Sequence, residues 1–365
     1  MDFVPSLLPI PANFTCKGLD AMKPKKRLTV KEIAEEVGLS VATVDRVLNN
    51  RGNVKPKTAE LVMNKVREME YTPNLSASFL SKGRSISLAV AYPELPAYFW
   101  NQVETGIDVA VSEFRDFGLQ VHTIRSKDYD LTDQKKTMLQ LVDSGEYDAI
   151  AISPNDPQEM TDVIDHAVSR NLTVGTFNSD SPLSSRMFYV GCDYRVAGRL
   201  AADTLCRLAG RRGRIGLIMS YTNFQMQQKV TGFREVIGNY PEIQLQAPLK
   251  VDQEEYTSFE TFAEYFEGLD GVYVASAKLH IIAGHLETAG LAGRVALIGH
   301  DMNEEIHDGL QRDVVTATIC QDPFNQGYLI VKSLFEYLSS RKLPDTRENI
   351  TKLELVTKEN ARYYI

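Results

Sequence analysis

An all-α helix-turn-helix headpiece with a hinge helix, followed by a C-terminal α/β body of two doubly wound lobes, is the architecture that this 365-residue sequence predicts. Three observations carry the prediction. Residues 28–53, LTVKEIAEEVGLSVATVDRVLNNRGN, have the spacing of two short helices joined by a tight turn. The segment around them is basic on an otherwise acidic chain. From residue 85 onward, short β-rich apolar runs alternate with helical stretches, the pattern of parallel sheets covered by helices.

Thr29 and Glu32 stand in the relation of a capping box, which starts a helix near Val30. Ile33, Ala34 and Val37 recur on one face, and Gly38 supplies the positive φ of an abrupt reversal. Ser40 is an N-cap for a second helix, 41–48. That helix keeps Val44, Val47 and Leu48 for a core and leaves Val41, Ala42, Asp45 and Arg46 outside, the candidate reading face. Pro56, in a favoured first-turn position, announces a third helix with Ala59, Val62, Val66 and Met69 as its stripe. From Lys23 to Arg84 thirteen Lys or Arg face seven Asp or Glu, a local charge of +6 within a chain of −8. A basic module on an acidic body is the electrostatic footprint of a nucleic-acid binder.

ATVDRVLNNRGNV (residues 42–54) and YTPN (residues 71–74) make the segment from Thr29 to about Leu80 resemble the DNA-binding headpiece of the LacI/GalR family of bacterial transcription regulators. The resemblance implies DNA contacts at Thr29, Ser40, Val41, Ala42, Thr43, Arg46, Asn49, Lys55, Tyr71 and Asn74. It also implies a hinge helix at 74–81, whose Ala77 and Leu80 match the small residue and the leucine that enter the minor groove. Such a wedge partly unstacks a base step and kinks the duplex. A leucine packed between headpiece and body is the other reading of Leu80. Two positions depart from the family pattern. Asp45 stands where a serine is usual, which puts its backbone contact in doubt, and Lys55 replaces a capping Ser or Thr, so it is read as a phosphate contact.

The remaining residues, about 280, exceed what one core usually serves, so two lobes are expected. Residues 87–92, 120–125, 149–152 and 173–177 read as strands of the first lobe, with helices at 101–117, 132–144 and 158–170 between them. Strands at 214–219, 271–274, 295–299 and 316–320 make the second. Open α/β sheets bind ligands at the carboxyl ends of their strands, so a cleft is expected between the lobes. YVGCDYRVAGRLAAD (189–203) and VALIGHDM (295–302) are similar to segments of the family's effector domain and of ribose-type periplasmic sugar-binding proteins.

By that resemblance, Phe99 and Trp100 fall where stacking aromatics stand, Asn178 and Asp180 where the first lobe places polar ligands, and Asp301 and Gln321 where the second does. Gln227 and Ser276 are added from equivalent positions, although an asparagine is usual at Ser276 and an arginine near Asn178 and Gln227, departures that argue against simple ribose. On the residues alone, Trp100 serves equally as core, Asp301 as a cap for a helix starting near Asn303, and Asp180 as a turn residue beside Pro182.

No catalytic residue, metal or cofactor is expected. His280 and His285, five apart on a helix, do not share a face, and there is no zinc signature, G-x-S-x-G elbow or phosphate-cradling loop. Cys16, Cys192, Cys206 and Cys320 lack CxxC spacing and read as free thiols of a reducing compartment. The apolar patch from Phe3 to Ile10 is interrupted by prolines and has no basic leader, so export and membrane association are not expected. Met22, directly before KPKKR, reads as an alternative start that leaves a basic arm; a disordered tail is the other reading. The expected organisation is a disordered or extended tail at 1–27, the headpiece at 28–73, the hinge at 74–84 and the effector-binding and dimerisation domain at 85–365. The implied protein is a cytoplasmic, nucleoid-associated homodimeric repressor, bound to palindromic operator DNA and controlled allosterically by a sugar-like effector.

Overall fold

A computed structural model describes residues 29–48, 52, 54–69, 85–127, 130–220, 224–251, 258–341 and 346–365. The chain divides into two compact units at residue 78. The expected tail and hinge helix, with Asn49, Tyr71, Asn74, Ala77 and Leu80, lie outside the described residues.

The first unit holds three helices, α1 (Val30–Val37), α2 (Val41–Leu48) and α3 (Pro56–Glu68). The capping box is formed: the Thr29 amide donates to Glu32 Oε2 (2.7 Å) while the Glu32 amide donates to Thr29 Oγ1 (3.3 Å). Gly38 closes α1 at φ 65°, a left-handed conformation that a side chain would strain. Ser40 Oγ accepts from the Thr43 amide and so caps α2. Lys55 gives α3 no side-chain cap, and Pro56 starts that helix. The three helices close on Ile33, Ala34, Val44 and Val62.

In the second unit the first lobe is an all-parallel six-stranded sheet. It contains β1 (Ile86–Pro93), β2 (Leu119–Ser126), β3 (Ala149–Ile152), β4 (Thr173–Phe177) and β5 (Phe188–Gly191). Between them run α4 (Ala97–Phe114), α5 (Leu131–Ser144) and α6 (Thr161–Ser169). The second lobe contains α7 (Tyr194–Leu208), β6 (Gly213–Met219), α8 (Phe224–Ile237), β7 (Ile243–Leu245), β8 (Leu249–Lys250) and α9 (Phe259–Phe266). It continues with β9 (Gly271–Val274), α10 (Leu279–Thr288), β10 (Ala296–His300), α11 (Glu304–Gln311) and β11 (Ala317–Cys320). The chain then returns to the first lobe as α12 (Pro323–Ser340) and β12 (Glu348–Ile350), and ends in the second as β13 (Glu354–Val356). The strand orders are β12-β5-β4-β3-β1-β2 and β13-β11-β10-β9-β6-β7, with β8 beside β6 and β13 antiparallel to β11.

Each lobe carries one close helix crossing that only glycine permits. A Cβ at Gly106 would collide with the Phe324 carbonyl and one at Gly327 with the Val103 carbonyl, which locks α4 against α12. Gly198 and Gly232 do the same between α7 and α8, against the carbonyls of Lys229 and Arg195. These contacts fix the backbones of Phe324 and Lys229.

The lobes are joined by three crossings, at Cys192, Gln321 and Thr351, and hydrogen bonds tie the three together. The Thr351 amide donates to the Gly191 carbonyl (2.8 Å), Thr351 Oγ1 donates to the Gln321 carbonyl (3.2 Å), and the Cys192 thiol donates to Gln321 Oε1 (3.4 Å).

Candidate functional site

Two surfaces are at issue, one in each unit. In the headpiece, packing turns Ile33, Val44 and Val62 inward and leaves the opposite face of α2 in solvent: Val41, an apolar residue 47% exposed, with Ala42 and Arg46 also exposed. Thr43 is half-buried, and its hydroxyl shares a 2.8 Å hydrogen bond with that of Ser40. Lys55 is exposed at the start of α3. The Thr29 side chain is engaged in the α1 cap. A short helix presenting small, apolar and guanidinium groups on one uncovered face fits a major groove, which admits an α-helix and offers guanine O6 and N7 to arginine.

The second surface lies where the strand ends of the two lobes meet. A cleft there is lined by Phe99, Trp100 and Asn178 from the first lobe and by Ser276, Asp301 and Gln321 among others. Asn178 and Asp301 both adopt left-handed backbone conformations, φ 58° and 69°, which turn their side chains sharply out of β4 and β10. A chain of amides crosses the cleft. Gln225 Nε2 donates to Asn178 Oδ1 (3.0 Å), Asn178 Nδ2 donates to Gln326 Oε1 (3.2 Å), and Gln326 Nε2 donates to the Gln321 carbonyl (2.8 Å). Gln321 Nε2 then donates to Asp301 Oδ1 (2.7 Å). The hydroxyls of Tyr189 and Tyr194 both donate to the Asn178 carbonyl, at 2.9 and 2.8 Å. In this conformation the amides of the cleft satisfy one another, and a ligand must replace the bond between Gln225 and Asn178 with bonds of its own.

Three expected ligand residues and one alternative reading, the Asp301 cap, are corrected. Asp180 does not line the cleft: both carboxylate oxygens are taken by Arg186, at 2.5 and 2.6 Å, and Oδ1 also accepts from Thr176. It belongs to a structural ion pair in which Arg186 is buried and Asp180 largely so. Gln227 is exposed on α8; helical geometry instead sends Gln225 and Lys229, one turn apart, into the cleft. Trp100 is 2% exposed, stacked on Tyr92 (5.1 Å, 21°) and edge-on to Phe99 and Phe177, and its indole N–H donates to the Leu95 carbonyl. It is a packed wall of the cleft, without the open face that stacking on a ligand needs. Asp301 does not cap α11; Asn303 does, accepting from the Ile306 amide.

Lys229 was not anticipated. It falls on the apolar stripe of α8 with Met226, Val230 and Phe233, and a lysine at i+3 of such a stripe is the sign that was legible. Its ammonium is buried, lies 5.6 Å from the Tyr194 ring, and among the described residues hydrogen-bonds only to the Ala275 carbonyl (3.2 Å). Burial lowers its pKa while Asp301 and Cys192 oppose the shift. For Asp301 burial raises the pKa, and Lys229 and the Gln321 amide hold it down. Burial pushes the Cys192 thiol up to about 12, so it is an inert donor. Ser276 Oγ, buried, has no partner among the described residues. An ammonium with donors to spare, an acceptor carboxylate and an orphan hydroxyl around one cleft suit a ligand whose hydroxyls both donate and accept.

Residues 88–342 match the family described as periplasmic binding protein domain, and residues 29–74 match bacterial regulatory proteins, lacI family. The chain is 27% identical over 211 residues to the HTH-type transcriptional regulator DegA of Bacillus subtilis, covering 58% of this chain and 61% of that protein. It is 25% identical over 178 residues to catabolite control protein A of Staphylococcus xylosus, covering 49% and 52%. The matched chain thus spans between about half and three fifths of these relatives. A sugar-binding protein of a sugar ABC transporter from Bacillus halodurans superposes with a TM-score of 0.70 at 23% identity, over 76% of this chain and all of that one. That likeness establishes the fold.

Proposed function

Because the chain belongs to the periplasmic binding protein domain family and carries a lacI-family region ahead of that domain, we propose that it is a sequence-specific transcriptional repressor controlled by a sugar-like effector. The single observation that carries this reading is the pairing, in one chain, of a helix-turn-helix with an exposed α2 face and a polar cleft between two lobes. In this reading a homodimer in the cytoplasm sets two α2 helices in the major groove of a palindromic operator, with Arg46 reading bases, Lys55 meeting phosphate, and hinge residues Ala77 and Leu80 entering the minor groove. The effector lies among Asn178, Ser276, Asp301, Gln321, Gln225 and Lys229 against the wall of Phe99 and Trp100. Because effector and operator affinities are linked, each changes the other by the same factor.

Selection from a random duplex library, followed by binding assays with and without carbohydrates, tests the reading. The expected outcome is one near-palindromic site whose affinity one carbohydrate class shifts; equal binding to all sequences overturns it. Arg46→Ala should lower the preference for that site over random DNA by about 1–3 kcal/mol, the scale of a lost base contact. An unchanged ratio removes Arg46 from the readers. Asp301→Asn keeps the shape but removes the charge, and should weaken the effector by about 1.5–3 kcal/mol, as for hydrogen bonds to charged groups. Operator binding in the absence of effector should stay unchanged; retention of the full effector response excludes Asp301 as a ligand residue.

A further inference from the structure

The cleft at Asn178, Ser276 and Lys229 has a free volume of about 70 Å3, room for a few waters. Small-molecule sites usually offer ~300 Å3 or more. A second cavity of about 590 Å3 adjoins it, and the two share Phe99, Asp301 and Gln321 as a common boundary. At that boundary the Tyr98 hydroxyl of α4 donates across the lobes to the Ala277 carbonyl at 3.4 Å.

The walls of the larger cavity are of two kinds. Tyr98, Phe324 and Tyr363 supply aromatic surface. Phe324 is set in place by the close crossing of α4 and α12, and the Arg362 guanidinium lies 4.9 Å from the Tyr363 ring while 72% of that residue remains exposed. The polar walls are Asp322, whose carboxylate takes the Asn325 amide at 2.8 and 2.9 Å, the ion pair of Glu354 with Lys352 at 2.9 Å, and the side-chain amides of Gln102 and Asn360. Aromatic faces beside carboxylates suit a ring with apolar C–H surfaces and hydroxyl donors. With Glu354 neutralised by Lys352, Asp301 and Asp322 leave the lining acidic and disfavour an anionic group, and an apolar group would desolvate these carboxylates without satisfying them.

We infer that this cavity is a second subsite of the cleft that takes a further sugar ring, so that the effector is a disaccharide or longer oligosaccharide. The inference rests on the sugar-effector reading above. One sugar ring enters the tight polar end as Gln225 leaves Asn178, and the next lies against Tyr363 and Phe324.

Fluorescence of Trp100, the only tryptophan, and calorimetry report binding to the full-length protein. The probes are glucose, galactose, ribose and arabinose against cellobiose, maltose, lactose and trehalose. One disaccharide should bind at least ~10-fold more tightly than either of its component sugars, in line with a second set of contacts. Tyr363→Ala and Phe324→Ala should each reduce that advantage by ~5-fold or more with component-sugar affinity and melting temperature unchanged. A monosaccharide that binds as tightly as the best disaccharide, or variants that weaken both sizes alike, overturns the second subsite and leaves the sugar reading intact. No binding by any carbohydrate of either size overturns both.

Discussion

The headpiece and the body solve the same problem, placing polar groups where a partner can reach them, in opposite ways. In the headpiece, four buried side chains hold three helices together, and the groups offered to a partner are those the core leaves out, on the far face of α2. Stability and recognition occupy different faces of one helix. In the body, the groups that line the cleft are themselves buried: Asn178, Asp301, Gln321 and Lys229 lie inside, tied to each other or to the backbone, and only the Ser276 hydroxyl among them lacks a partner among the described residues. There a polar side chain is at once a potential ligand and a structural member. Which of the two it is depends on whether a neighbour has already consumed its hydrogen bonds.

The sharpest way to break this contrast is the buried pair beside the cleft. Arg186→Met leaves the Asp180 carboxylate buried without its bidentate partner, and should destabilise the body by about 3–5 kcal/mol. Denaturant unfolding followed by Trp100 fluorescence measures it. A loss below about 1 kcal/mol would show Asp180 to be available for a ligand after all.

In the headpiece, Ile33→Ala removes one of the four closed core residues and should cost that unit about 2–4 kcal/mol, in the range for buried aliphatic truncations. Calorimetry should show headpiece melting lowered, with the body transition unmoved. If both transitions shift together, the two units are not independent and the contrast fails.

The smallest effect is one of pH. His300 is fully buried with its Nε2 2.6 Å from the Tyr273 hydroxyl, and burial drives its pKa well below the ordinary 6.5. Above about pH 6.5 the imidazole is neutral in both folded and unfolded chains. As the pH falls below that value the unfolded chain binds a proton that the folded one refuses, so stability present at neutral pH is lost, by up to about 1.4 kcal/mol per pH unit for one proton. Asp301, raised by burial from its ordinary 3.8, contributes the opposite slope at lower pH. His300→Gln should flatten the stability profile between pH 6.5 and 5; an unchanged slope assigns the titration to another group.

Much of the fold was written in local pattern. The capping box, Gly38 and Pro56 delimit the headpiece helices within a residue or two, because each terminus is set by neighbours in sequence. The long strands of both lobes were legible for the same reason, as four- to six-residue apolar runs between turns. Strands β5, β7, β8, β12 and β13 were not: short strands of two to four residues exist because a sheet edge is there to pair with, which no local pattern records. Asn178, Ser276, Asp301 and Gln321, singled out by the resemblance, line the cleft. Asp180 was misread because its partner Arg186 fits a turn as readily as an ion pair. Gln227 was misread because a shift of two residues on a helix turns a side chain by more than half a revolution. Only the heptad-like stripe that includes Lys229 could have given the right face of α8.

The three crossings between the lobes share the hydrogen bonds of a single residue, Gln321, whose amide also holds Asp301 in the cleft. Three crossings laced side by side define a line, and rotation about that line is the relative motion of the lobes that such a connection opposes least. In the proposed reading, ligands of different size or stereochemistry would be translated into the same movement, differing in how far it goes and not in its direction. A cleft of this kind can change its taste through substitutions at positions such as Ser276 or Lys229 while the message it sends keeps its grammar.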